Sequence, residues 1–273
     1  MIAPDSTVGR DESDFVLQWE LWHGGYEHRR ASPHGFLAIT GLHWLNEVPA
    51  RFDDVPGAWS SGPDGVEVRL GDGETLIVDD QRVSGRYCFG AVDEHGTLAG
   101  FGDAIVEVAR RDDRFMIRPR DPDYEVRTRY AGTPTYSASI GWVATGRLVP
   151  YVEPRPISVG ASVEGLTHVY TSPGEIEFVL AGQRLHLVAF NAEESDELFI
   201  VFSDRTSGSE TYAACRFLNV DAPSSDGRVS LDFNRATNPP CAYTDFATCP
   251  LPPPRNHLPV RVEAGEKAPT SSP

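Results

Sequence analysis

Ile176-Glu177-Phe178-Val179-Leu180-Ala181-Gly182-Gln183-Arg184-Leu185-His186-Leu187-Val188-Ala189-Phe190 decides the fold. Two apolar runs, Ile176–Leu180 and Leu185–Phe190, flank the turn signal Ala181-Gly182. Such runs read as strands, because β-branched and aromatic side chains fit a pleated surface and glycine tolerates the backbone of a tight turn. The same pattern extends upstream through Val66–Leu70, Thr75–Val78, Ile105–Ala109, Phe115–Arg118, Tyr124–Tyr130, Ile140–Ala144 and Thr167–Tyr170. Downstream it continues through Leu198–Phe202, Arg216–Val220, Val229–Phe233 and Leu258–Glu263. Further turn signals stand at Asp72-Gly73, Pro173-Gly174 and Asp226-Gly227. Many short strands at this spacing predict a sandwich or a barrel. Strands never alternate with long helices, which disfavours a doubly wound parallel sheet.

One helix precedes them. Phe15, Trp19, Trp22 and Tyr26 fall at i, i+4, i+7 and i+11, so four aromatics share one stripe. Asp11 or Ser13 is the expected cap, and Gly24-Gly25 weakens the end. The stripe reads as a core face packed on a sheet. The expected fold is therefore mainly β, with an N-terminal helix, a small β-sandwich-like first half and an antiparallel β-barrel-like second half. Residues 1–45 form the helix and connector, 46–122 the sandwich-like domain, 123–267 the barrel-like domain and 268–273 a disordered tail, with a boundary near Arg120–Tyr124.

Composition narrows the function. Of 273 residues, 24 are Lys or Arg and 40 are Asp or Glu, a net charge of −16. That surface repels phosphate backbones and anionic lipid, so neither nucleic acid nor membrane is an expected partner. No apolar run approaches the roughly 20 residues that span a bilayer. Met1–Arg10 lacks the basic-then-apolar pattern of a signal peptide. The cytoplasm is the expected location, and Cys88, Cys215, Cys241 and Cys249 are expected as free thiols.

The C-terminal third concentrates the reactive residue types. Asp204–Tyr212 reads as a polar loop at a strand end. Ser230, Asp232 and Asn234 alternate with Leu231 and Phe233, which predicts a polar strand face turned either to solvent or into a barrel cavity. Asn238-Pro239-Pro240-Cys241 breaks the strand, and Cys249-Pro250-Leu251-Pro252-Pro253-Pro254 fixes the path of an irregular segment. The loop between carries Cys241, Tyr243, Asp245 and Cys249.

Leu231-Asp232-Phe233-Asn234-Arg235-Ala236, Asn238-Pro239-Pro240-Cys241-Ala242-Tyr243, Cys249-Pro250-Leu251-Pro252-Pro253, Asn256 and Glu263-Ala264-Gly265-Glu266-Lys267 together resemble the bacterial and archaeal domain-of-unknown-function family 1684. Asp204-x-Thr206-Ser207-Gly208-x-x-Thr211-Tyr212, Arg216-Phe217-Leu218 and Gly41-Leu42-His43-Trp44-Leu45 are similar to its other signatures. The likeness spans nearly the whole chain and implies kinship rather than an activity. Thr237 stands where members usually carry tyrosine, Cys215 where they carry glycine, and Arg51–Ser61 departs from the family pattern, which marks a divergent member.

Each reactive group has a plain and a chemical reading. Cys241 is a buried inert thiol or a nucleophile whose activation would fall to His257, Arg235 or Lys267. Asp232 with Glu263 or Glu266 is an acid–base pair or part of a salt-bridge network with Arg216, Arg235 and Lys267. Tyr212 is a proton donor or a satisfied core phenol. His168 and His186 read as ordinary strand histidines. No C-x-x-C and no paired histidines occur, so no metal is expected. No G-x-S-x-G, Walker loop or G-x-G-x-x-G occurs, so no nucleotide cofactor is expected. The leading expectation is a cofactor-independent enzyme acting by acid–base chemistry on a small organic molecule, as a lyase, cyclase, isomerase or hydrolase, in a barrel pocket. Asp232, Tyr212, Cys241 and Glu263 are the expected catalytic residues; Asp204, Arg216, Asn234 and Arg235 the expected substrate-binding ones. A non-catalytic small-molecule binder using the same pocket is the alternative. A protein-interaction module through the first half is a third, and a homodimer stays open.

Overall fold

The computed structural model describes residues 6–192 and 195–270. It is mainly β, with one long N-terminal helix, several antiparallel sheets and a curled half-barrel sheet in the C-terminal half. Two compact units divide the chain: Arg29–Ala131 with Thr244–Ala247, and the helix through His28 with Gly132–Tyr243 and the segment from Thr248. They part at Ala131–Gly132, downstream of the expected Arg120–Tyr124 boundary. No helix among the described residues is long and apolar enough to cross a membrane.

Helix α1 spans Ser6–Arg30, so Asp11 and Ser13 lie inside it rather than at its cap. It also continues through Gly24-Gly25. Each glycine costs about 1 kcal/mol in a helix interior, and tertiary contacts offset that. Trp19 Nε1 donates to Asn234 O at 2.7 Å, and the Tyr26 hydroxyl donates to Thr237 Oγ1 at 3.3 Å. Trp19, Trp22 and Tyr26 of the stripe thus meet the segment Asn234–Thr237 that follows the sheet, through its backbone and its side chains, instead of the expected sheet face.

The unit containing Arg29–Ala131 carries ten strands: β1 His43–Trp44, β2 Ala50–Phe52, β3 Val55–Gly62, β4 Gly65–Arg69, β5 Leu76–Val78, β6 Gln81–Val83, β7 Arg86–Cys88, β8 Thr97–Phe101, β9 Ala104–Arg111 and β10 Arg114–Arg120. They make two sheets, ordered β1-β10-β9-β8-β5-β6 and β2-β3-β4-β7. Trp59, Val66 and Val68 from one sheet share a buried core with Leu76, Val106, Val108 and Ile117 from the other. The expected strand at Tyr124–Tyr130 is instead a short helix, α2 (Glu125–Thr128). Arg127 explains it: its guanidinium donates to the carbonyls of Ala31, Ser32 and Pro122.

The helix-containing unit carries β11 Val143–Gly160, β12 Thr167–Leu180, β13 Gln183–Asn191, β14 Leu198–Phe202, β15 Arg216–Val220 and β16 Arg228–Asp232, in one sheet ordered β15-β14-β13-β12-β11-β16. Leu180 pairs with Gln183, and Ala181 and Gly182 turn between them at φ 50° and 73°. Positive φ at both turn residues matches the right-handed twist of the flanking strands. Pro173-Gly174 is not a turn; Gly174 pairs with Pro150 and with Ala189 inside β12. A Cβ there would lie 2.3 Å from Val149 O, so only glycine admits the neighbouring strand.

Ile176, Phe178, Leu187, Ile200, Phe202, Leu218, Leu231 and Phe233 pack into one buried cluster on this sheet. A polar cavity inside the barrel is therefore replaced by packed hydrocarbon, and Ser230 on the other face is exposed. β16 ends at Asp232, and Phe233–Arg235 turns as a 3-10 segment. Asn234 leaves the face it was expected to share with Ser230 and Asp232.

Leu258–Glu263 forms no strand, although Leu258, Val260 and Val262 are buried and alternate with exposed Pro259, Arg261 and Glu263. Main-chain bonds hold its first half, the Leu258 N–H donating to Ser203 O at 2.8 Å and the Arg205 N–H to Val260 O at 3.0 Å, and side chains hold the rest. Arg216 donates to Val262 O at 3.0 Å, to Ala264 O at 2.5 Å and to Asp204 Oδ2 at 2.5 Å. Asp204 Oδ1 accepts the Val262 N–H at 3.2 Å. Neither side chain is exposed. Asp204→Asn leaves a guanidinium buried without its counter-charge and is expected to cost about 3–5 kcal/mol in urea unfolding. Arg205→Met, at the neighbouring exposed position, is expected to change stability by about 0.5 kcal/mol or less.

Candidate functional site

The residues expected to form one site fall into separate groups. Asp204 and Arg216 are the buried clamp described above. Asp232 Oδ1 accepts from the Asn234 N–H at 3.1 Å and from Asn234 Nδ2 at 2.8 Å. Its Oδ2 lies 3.4 Å from Arg235 Nε. Asn234 exchanges two bonds with the Ser139 backbone, at 3.0 and 2.9 Å. These three residues cap and brace the turn after β16. The Tyr212 hydroxyl donates to Cys241 O at 2.8 Å. Glu263 is exposed and accepts from Arg261 Nε at 2.8 Å. Among the described residues no hydrogen bond or ion pair joins one of these groups to another.

All four cysteines are free. The Cys241 N–H donates to Cys249 Sγ at 3.2 Å, and Cys215 Sγ donates to Pro250 O at 3.5 Å. Hydrogen bonding from the Cys249 thiol, helped by the Tyr212 and Ser162 hydroxyls, holds Cys241 below the usual thiol value. The same bond pushes Cys249 up, and burial pushes Cys215 up. The expected activators stand elsewhere. His257 Nδ1 pairs with Ser203 Oγ, Arg235 lies 5.3 Å over the Trp22 ring and Lys267 Nζ 4.4 Å over the Tyr136 ring.

A different set converges in the helix-containing unit. His23 and Glu27 lie one turn apart on α1 and present neighbouring side chains. Glu266 reaches them from the C-terminal segment. Gly265 makes that approach with φ 74°, and a Cβ there would sit 2.5 Å from Ala236 O. Backbone bonds fix Glu266 on both sides: its N–H donates to Ala236 O at 2.9 Å, the Tyr136 N–H to Gly265 O at 2.9 Å and the Lys267 N–H to Pro134 O at 2.8 Å.

The Glu266 side chain is 1% exposed. Its Oε2 accepts the Asn238 N–H at 2.6 Å and the Tyr243 hydroxyl at 3.4 Å. Tyr243 in turn bonds Thr133 Oγ1 at 2.7 Å. Glu27 Oε2 accepts the Thr133 N–H at 3.2 Å. These bonds fix Oε2 of each carboxylate, and Oε1 of each lies near His23 Nε2, at 3.8 Å for Glu27 and 3.7 Å for Glu266. The Trp19 ring stacks on the imidazole at 5.0 Å and 9°. His23 Nε2 and Asn238 Oδ1 are buried and make no hydrogen bond. Two carboxylates, an imidazole and a phenol in a shielded setting are the groups that move protons or hold a cation.

In the sequence Glu266 stands out as a partner for Asp232, Tyr243 as a loop residue and both as parts of the C-terminal motif, while no motif marks His23 or Glu27. The helical i, i+4 spacing of His23 and Glu27 was the readable signal, hidden by the aromatic stripe beside it.

A family model described as "Protein of unknown function (DUF1684)" matches residues 128–267. His23 and Glu27 lie outside that span, and Tyr243 and Glu266 inside it. The chain is also similar to the solution NMR structure of an uncharacterized protein of Haloarcula marismortui, with 32% identity over 52% of this chain and 78% of that one and a TM-score of 0.44. No curated protein matches.

Two outcomes are expected from this geometry. Iodoacetamide at neutral pH is expected to modify exposed Cys88 and half-buried Cys241 well before Cys215 and Cys249, with peptide mass spectrometry reading the order. Gly265→Ala places a side chain in left-handed backbone against Ala236 O and is expected to destabilise by about 1 kcal/mol or more, measured by thermal unfolding.

Proposed function

The chain belongs to the DUF1684 family, whose function is unknown, and from that premise we propose that it is an enzyme acting by acid–base chemistry on a small organic molecule. The reaction centre in this reading is Glu266 with Tyr243, His23 and Glu27. One observation carries it: a carboxylate 1% exposed is presented to an imidazole nitrogen across 3.7 Å, with no hydrogen bond made by that nitrogen. A buried site that brings unlike titratable groups together suits a proton abstracted at one group and returned from another. The Tyr243 phenol, already bonded to Glu266 and Thr133, supplies a proton that a developing oxyanion would attract. A cytoplasmic setting belongs to the same reading, since free thiols fit a reducing compartment.

The test is a screen of small organic substrates with the wild type, Glu266→Gln and Tyr243→Phe. Glu266→Gln is expected to lower turnover by roughly 10²–10⁴-fold while circular dichroism stays native. Turnover that survives Glu266→Gln removes this centre. Ligands that raise the melting temperature without being converted favour a binding protein over an enzyme.

A further inference from the structure

We propose that His23, Glu27 and Glu266 bind one divalent first-row metal ion, such as Zn²⁺ or Mn²⁺. The inference rests on the same cluster as the proposed function and replaces the sequence-based expectation of no metal. The donor types come first. One imidazole and two carboxylates form a nitrogen–oxygen set that suits these ions and offers nothing to a soft thiophile.

The spacing comes second. One nitrogen or oxygen from each residue lies within 4.8 Å of the others. His23 Nε2 stands 3.8 Å from Glu27 Oε1 and 3.7 Å from Glu266 Oε1. Those separations exceed a hydrogen bond. Donors about a tetrahedral zinc at ~2.0–2.2 Å stand roughly 3.3–3.6 Å apart, a little less than the two separations from His23. Small side-chain movements close the difference.

Support from the surrounding groups comes third. Metal ligands are normally aimed by hydrogen bonds on their far atoms. Here the far oxygens are held by the Thr133 N–H, the Asn238 N–H and the Tyr243 hydroxyl, and Trp19 fixes the imidazole plane. The nitrogen left facing the carboxylates is buried and makes no hydrogen bond. Asn238, whose backbone holds Glu266, also keeps its Oδ1 buried without a partner, an acceptor suited to an ion-bound water. Three protein ligands leave at least one position for such a water, the arrangement of catalytic rather than structural sites. His23 and Glu27 are 16% and 17% exposed, which gives an ion a way in, while Glu266 at 1% closes the floor. A bound ion would supply a water of lowered pKa as the base of the acid–base reading.

The test uses the full-length chain, stripped with a chelator and dialysed. Titration with Zn²⁺ and separately with Mn²⁺ is followed by calorimetry, and Co²⁺ substitution by visible absorption. One ion per chain, a raised melting temperature and a cobalt spectrum without a thiolate charge-transfer band are expected. His23→Ala and Glu266→Gln are each expected to weaken binding by more than tenfold. His23→Gln serves where a truncation perturbs folding. The inference is overturned by no saturable binding, by binding that survives both His23 and Glu266 substitutions, or by a thiolate band that moves the ion to the cysteines. Failure here leaves a cofactor-independent acid–base centre standing. Conversely, turnover indifferent to Glu266→Gln removes the enzyme reading and leaves metal binding intact.

Discussion

Arg216 and Asp204 meet with neither side chain exposed, and between them they satisfy two carbonyls and one N–H of a segment that forms no strand. Leu258–Ala264 must bury four apolar side chains against the curled sheet, and main-chain bonds to Ser203 and Arg205 serve only its first half. Buried peptide groups without partners are costly. At Val262 and Ala264 the guanidinium fork and the carboxylate take the place of a strand partner. The arrangement is demanding, because a buried ion pair needs good geometry to recover its desolvation. Its consequence is positional: two residues beyond Ala264 the chain delivers Glu266.

That delivery joins the sheet to the helix. Gly265 lets the backbone press against Ala236, and the Glu266 N–H locks onto the same residue. The helix arrives from the other side, tied at Trp19 and Tyr26 to Asn234 and Thr237. Asp232 and Asn234 brace the turn that receives it. Several residues whose types suggested catalysis therefore shape the platform on which His23, Glu27, Tyr243 and Glu266 meet.

The hairpin at Ala181-Gly182 was legible because turn chemistry and strand propensity act locally. So was the placing of Leu231 and Phe233 apart from Ser230 and Asp232, since a period of two is a backbone property, and both are buried. Tyr124–Tyr130 reads as a strand in sequence because two of the carbonyls that Arg127 holds, those of Ala31 and Ser32, lie nearly a hundred residues upstream, and only that of Pro122 is local. Pro173-Gly174 was misread for a related reason: a glycine demanded by a close neighbouring strand looks the same in sequence as one demanded by a turn. The expected site failed on burial. Arg216 and Asp204 carry the residue types of ligand recognition, and only the fold reveals that each is the other's ligand.

By itself the sequence determined the β class, the helix with its aromatic stripe, the main hairpin and the kinship carried by the C-terminal motif, because periodicity, turn chemistry and motif spacing are written along the chain. Only the tertiary structure decided which charged groups became scaffold and which became a site. His23 and Glu27 stand some 240 positions from Glu266 in the chain, and no local rule links residues so far apart. Their meeting depends on where a helix docks and where a strandless segment is clamped, and both are outcomes of packing and of backbone hydrogen bonds that must be satisfied once water is gone.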